Sequence, residues 1–167
     1  MISEILDAKT CAECRFCCSF RRCSLWETPI FDVRIADKLK NKCNFKVEEI
    51  NNGKGAVYDL SKLYKTEDAK EEVPCPFLDR LNGCTLDACD KPFDCKIWPF
   101  RVLEKDNKIL IGLTPTCPAV NKLEISILQK FVKEKIASEI FEYVRLHKEI
   151  IKPFKESYII MCYQEDK

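Results

Sequence analysis

The sequence predicts an α+β fold in which an irregular cysteine-rich half, with short strands and a short helix, packs against a C-terminal amphipathic helical segment. Three observations lead to that reading. Apolar residues recur at helical spacing only after Pro118, short apolar runs broken by Gly, Pro, Asn and Asp dominate before it, and eleven of the twelve cysteines lie between Cys11 and Cys117. No linker composition separates the two parts. Residues 1–167 therefore read as one domain, with a cysteine-rich part over 11–118 and a helical part over 119–167.

In chain order, Thr28-Pro29 followed by Phe31, Ile35 and Leu39 predicts a short helix from about 30 to 41, with proline tolerated in its first turn. Residues 56–60, 75–78, 99–104 and 108–113 are candidate strands. Asn82-Gly83 offers a tight turn between Cys75 and Cys84, and Lys105 to Lys108 a second one between two apolar runs. The charged stretch from Lys65 to Glu72 reads as a surface loop. Beyond Pro118, Ile125, Leu128, Val132, Ile136, Ile140, Val144 and Ile151 recur at spacings of three, four or seven. That stripe predicts an amphipathic helix packed on the cysteine-bearing half and ended or kinked by Pro153.

Charge excludes some functions. With 28 basic and 27 acidic residues the formal charge is +1, and no basic tail hides in the balance, so neither nucleic acid nor an anionic membrane surface is an expected partner. The start, MISEILDAKT, has acidic residues and no basic, apolar leader, and no run is long enough to span a bilayer. A reducing cytoplasm is the expected compartment. There, clustered thiols bind metal or do redox work more often than they form bridges, and a chain this long can bury a core without disulfides.

The informative segment is CAECRFCC, where Cys11, Cys14 and Cys17 repeat as C-x2-C-x2-C and Cys18 follows directly. Two intervening residues let the backbone turn around an inorganic centre, in ferredoxin-like and zinc sites alike. Zinc takes sulfurs at about 2.3 Å, hence about 3.8 Å apart in a tetrahedron, usually from two C-x2-C pairs, and this chain has no second such pair. A third cysteine at the same interval favours a larger object, an iron–sulfur cluster. The ferredoxin run is incomplete, however, so its fourth ligand would come from Cys75-Pro76 or Cys117-Pro118. In extended backbone Cys17 and Cys18 would face opposite ways, leaving Cys18 for a second site or for burial.

A second cluster, CPFLDRLNGCTLDACDKPFDCKIWPF, carries Cys75, Cys84, Cys89 and Cys95, with Cys117 in the following TPTCP. Its prolines stiffen irregular chain, which suits ligands presented from loops. Together these motifs resemble the YkgJ-type cysteine-cluster family, a zinc- or iron-chelating domain, over roughly residues 11–118. The resemblance implies metal ligation by Cys11, Cys14, Cys17, Cys18, Cys75, Cys84, Cys95 and Cys117, with Pro92 and Pro99 as stiffening residues. Lys91, Asp87 and Trp98 depart from the family's usual Arg, Tyr and Phe or Tyr, and Lys91 cannot supply a bidentate guanidinium.

The expected function is therefore a metal-binding protein with an iron–sulfur cluster, of 4Fe-4S type, acting in electron transfer or as an accessory or maturation subunit beside a redox enzyme. The alternative is a structural or metal-delivering zinc protein. Four thiolates around either centre leave net negative charge, so two or more of Arg15, Arg21, Arg22, Lys91, Lys96 and Arg101 should approach cysteine sulfurs. Phe16, Phe20, Trp26, Phe93 and Trp98 are expected to cover the centre, and Cys23, Cys43, Cys89 and Cys162 to be buried inert thiols. His147, the one histidine, reads as a surface residue. Four glycines, no phosphate loop and no hydrolase or metalloprotease motif give little support for an enzyme.

Overall fold

The computed structural model describes residues 2, 4–6, 8–79 and 81–165, with residues 8, 9 and 11 described through their backbone alone. The elements are α1 (Ala8–Cys14), β1 (Ser19–Arg21), α2 (Val33–Leu39), β2 (Phe45–Ile50), β3 (Gly53–Tyr58), β4 (Glu72–Pro74), β5 (Leu78–Asp79), β6 (Gly83–Cys84), α3 (Phe93–Ile97), β7 (Phe100–Lys105), β8 (Lys108–Leu113), α4 (Ile125–Phe131), α5 (Ala137–Leu146), β9 (Lys152–Pro153) and β10 (Ile159–Tyr163). The α+β class holds.

Four strands form the main sheet in the order β10-β8-β7-β9. Its centre is the β7–β8 hairpin, closed by Asp106 and Asn107 at φ 52° and 60°, the left-handed pair that a two-residue turn matching strand twist requires. Against this sheet packs the C-terminal helical segment. Leu128, Val132, Ile136, Ile140 and Val144 are buried with Val102 and Ile111, whereas Ile125 at the helix start is 45% exposed. A spacing of four overshoots the α-helical turn by about 40° each time. The wider π turn over Val132–Ile136 corrects that drift and keeps the stripe on the sheet.

The helix ends earlier than its stripe suggests. Asn51 Nδ2 donates to the carbonyls of Lys148 and Ile151, 3.2 and 2.7 Å away, and residues 148–150 form a 3₁₀ turn. Ile151 therefore lies outside the helix, and Pro153 sits on an edge strand, where its missing N–H costs no ladder bond. The part over 119–167 is thus not purely helical: β9 and β10 supply both edges of the main sheet.

The cysteine-rich part is built of short pieces. The helix expected from 30 begins at Val33, because Asp32, and not Thr28, caps it by accepting the Arg34 N–H at 2.8 Å. Of the expected strands, 99–104 and 108–113 form as β7 and β8, and 56–60 is displaced to 53–58. The 75–78 strand does not form. Pro74 and Pro76 flank Cys75, and Leu78 N–H donates to the Cys75 carbonyl in a turn between β4 and β5. Residues 65–71 are a loop as expected. A second apolar cluster, around Phe31, Tyr58, Leu60 and Phe77, closes this half.

Candidate metal centre

Local geometry brings the amino-terminal cysteines round a corner. Cys14 ends α1, Arg15 adopts φ 53°, and a 3₁₀ turn over Phe16–Cys18 follows, with Arg15 Nε donating to the Ala12 carbonyl at 2.8 Å. Cys17 and Cys18 are therefore not in extended backbone. The turn sets their sulfurs 4.0 Å apart instead of on opposite faces.

Strand pairing then carries Cys18 to the middle cluster. β1 lies antiparallel to β4, and the ladder continues past its end as the Cys75 N–H donates to the Cys18 carbonyl at 2.7 Å. Across the next turn, the β5–β6 hairpin sets Cys84 opposite Leu78. Gly83, at φ 80°, lets α1 close onto this hairpin: a Cβ there would stand 3.2 Å from that of Ala12. Cys95 comes from α3, whose Phe93, Asp94 and Ile97 are buried.

The buried thiols feel one another's charge. Burial lifts the Cys75 thiol to about 11, against a hydrogen bond with the Tyr58 hydroxyl at 3.3 Å, and Cys18 and Cys84 push it up further. Burial also raises Cys95, helped by Asp94, Cys75 and Cys18 and opposed by Arg101. Cys95 nevertheless stays exposed to solvent. Cys18, Cys75, Cys84 and Cys95 thus form one electrostatic neighbourhood.

Cys14, Cys17 and Cys117 line a separate narrow recess with Thr10, Phe16 and Trp98. Cys117 is buried and Cys14 exposed. The Cys11 side chain lies outside the described residues. None of the described cysteines is in a disulfide. Among the described residues no group of three or more His, Cys, Asp or Glu side chains is set closely enough to hold a single metal ion.

Other expectations divide. Cys23 and Cys89 are exposed and not buried, being carried on a 3₁₀ segment and on a loop; Cys162 is buried, and burial pushes half-buried Cys43 to about 11. Of the six cations, Arg101 acts on Cys95 and Arg21 on Cys23, while Arg21 and Arg22 are also engaged by Glu72 and Glu71. Phe20, Phe93 and Trp98 are buried, and Phe16 is 41% exposed. His147, expected at the surface, is half-buried: it stacks on Tyr143 at 4.0 Å and pairs with Glu149. Tyr58 and Asp94 were not singled out from the sequence, since nothing local marks a tyrosine 17 residues from its sulfur partner. No family model, curated protein or solved structure matches the chain.

Proposed function

We propose that this chain is a metal-binding cysteine-cluster protein that carries an iron–sulfur cluster of 4Fe-4S type and passes electrons, or serves as an accessory or maturation subunit beside a redox enzyme, in a reducing cytoplasm. One observation carries the reading: the Cys18–Cys75 backbone bond at 2.7 Å and the β5–β6 hairpin bring Cys18, Cys75 and Cys84 into one region, where burial and neighbouring thiols push up both Cys75 and Cys95. Thiols are not gathered at mutual cost for packing alone, and a cationic inorganic centre turns that repulsion into ligation. The resemblance to the YkgJ-type family supports the same reading.

The repeat of Cys11, Cys14 and Cys17 at one interval is our reason to prefer a cluster over one ion. A single zinc needs sulfurs about 3.8 Å apart, and no three described side chains meet that condition. Cys18, Cys75, Cys84 and Cys95 would hold the cluster, with Cys11, Cys14, Cys17 and Cys117 the adjoining set. When bound, such a group supplies one-electron redox chemistry. The chain's own part would be to set the Tyr58 hydroxyl 3.3 Å from the Cys75 sulfur and to limit water under Phe20, Phe77 and Trp98, while ionisation of thiols that burial holds protonated would fall to the bound cations. A zinc protein is the second reading, favoured by the 4.0 Å between Cys17 and Cys18. Among the described residues no helix is long and apolar enough to cross a membrane.

Anaerobic purification followed by iron, sulfide and zinc quantification tests it. Equal iron and sulfide in a brown protein that bleaches in air is the expected result, and Cys95→Ser and Cys14→Ser should lower the metal content. A colourless protein with stoichiometric zinc moves the assignment to the second reading, and a protein without any of the three overturns both.

A further inference from the structure

A cleft of about 580 Å³ opens between the β2–β3 hairpin and the segment over residues 25–30, and none of the described cysteines lines it. Ile50 and Val57 on the hairpin, Trp26 and Ile30 on the facing segment, and Ile151 just before β9 give it apolar walls. Its size and its mostly apolar lining are those of a small-molecule site. Such sites hold a few placed polar groups, and here the buried one is Lys152, which opens β9, lines the cleft and is only 6% exposed.

Lys152 is held by carbonyls and by no carboxylate. Its Nζ donates to the Trp26 and Thr28 carbonyls at 2.5 and 2.7 Å. An ammonium has three N–H groups, and among the described residues no acceptor takes the third. The two carboxylates whose charge bears on it make their contacts elsewhere: Asp94 pairs with Arg101 at 2.8 Å, and Glu27 accepts from Tyr158 at 3.3 Å. Burial pulls the Lys152 pKa down to about 8, which still leaves the group mostly charged at neutral pH. A buried cation is costly unless an opposite charge stands close, and the cleft gives an anion a way to this one.

Other charges on the same walls are already matched. Arg22 pairs with Glu71, Lys46 with Asp59 and Glu149 with His147. An entering anion therefore meets one uncompensated cation, while exposed Glu48 at the rim weighs against a ligand with a second negative charge. We propose that this cleft binds an organic monocarboxylate with an apolar body, the carboxylate on Lys152 Nζ and the body between Trp26, Ile50 and Val57. The site is distinct from the sulfur centre proposed above and does not depend on it.

The test is calorimetric titration of the full chain at neutral pH with phenylacetate, indoleacetate and octanoate, each beside its uncharged amide, and with phenyl phosphate. At least one of the three acids should bind saturably at one site, with its amide and the phosphate about tenfold weaker or more, as loss of a charge-assisted bond or addition of a second charge implies. Lys152→Met keeps the apolar stem and should cost the same factor. Lys40→Met, which removes a surface cation paired with Asp37, should change nothing. If Lys152→Met fails to fold, the acid-against-amide comparison in the wild type and Val57→Trp, which fills the cleft from the half-buried hairpin, carry the measurement. No saturable binding of any of the three acids, amides that bind as tightly as their acids, or undiminished binding in folded Lys152→Met or Val57→Trp overturns the inference. Metal content is not among these readouts, so each result leaves the cluster assignment to its own test.

Discussion

The main sheet with its helices and the cysteine-rich region use different means to stay folded. In the first, strands of five and six residues at β10, β7 and β8 meet a helical stripe, and Val102, Leu110, Ile111, Leu128, Ile140 and Val144 are fully buried. Burying each such side chain contributes about 1.5–3 kcal/mol, so this half closes on apolar surface. In the second, β1, β4, β5 and β6 have two or three residues each, and Cys14, Cys84 and Cys95 are exposed. Strand pairs that short are marginal in water without another tie. The difference teaches that the cysteine-rich half rests on a smaller, aromatic cluster around Phe31, Tyr58 and Phe77, to which the proposed sulfur centre would add a second tie.

Removing the proposed metal is the largest test of that contrast. Chelation under anaerobic conditions should abolish hydrogen-exchange protection around β1, β4 and the β5–β6 hairpin while β7, β8 and α5 keep theirs. Uniform loss, or no loss, would remove the distinction between the halves. The converse comes next in size. Ile140→Ala, in the sheet half, should cost about 2–5 kcal/mol in denaturant unfolding through the cavity it leaves. Metal content per folded molecule should not change, and a proportional fall in metal would show that the halves are one cooperative unit.

How far the sequence foretells each half follows the same division. The helical stripe was legible because burial on one side imposes period on Leu128, Val132, Ile136, Ile140 and Val144, and the β7–β8 hairpin because Asp106-Asn107 suits left-handed backbone. β2–β3 carried an equal signal at Asn51-Asn52, at φ 50° and 63°, yet its exposed strand β2, with Lys46, Glu48 and Glu49, lacks the alternation that marks a strand. β9 and β10 were hidden because their partners β7 and β8 lie far away in sequence. Among the sulfurs, types and spacing named the candidates, and only backbone geometry divided them. The left-handed turn at Arg15 and the Cys18–Cys75 ladder bond, which decide which sulfur meets which, are set by tertiary contact.

A smaller effect sharpens the comparison inside the cysteine half. Tyr58 is 7% exposed, and burial holds its hydroxyl protonated far above neutral pH, so it is available to donate to a Cys75 thiolate 3.3 Å away. Tyr58→Phe removes that donor and leaves the ring packing against Phe31 and Phe77 intact. The expected loss of stability is about 0.5–1.5 kcal/mol, with faster metal transfer to a chelator. Unchanged transfer together with the stability loss would mean that Cys75 is not a ligand.

The smallest expected effect tests whether any part of the cysteine half is held without sulfur. Glu71 accepts the Lys65 and Thr66 N–H groups and the Thr66 hydroxyl, and it pairs with Arg22. Led by the Lys65 N–H, these donors hold its carboxyl at about 2 against an ordinary 4.5. A folded-state pKa below the unfolded value means that the carboxylate contributes fully above about pH 4.5 and loses its contribution as pH falls toward 2. Exchange protection at Lys65 and Thr66 should therefore decline across that window in the wild type, and Glu71→Gln should weaken it at neutral pH with metal content unchanged. If Glu71→Gln also releases metal, the loop and the sulfur centre fold together, because Arg22 and Cys23 lie on the strand-to-loop segment that Glu71 and Ala69 anchor through their backbone carbonyls.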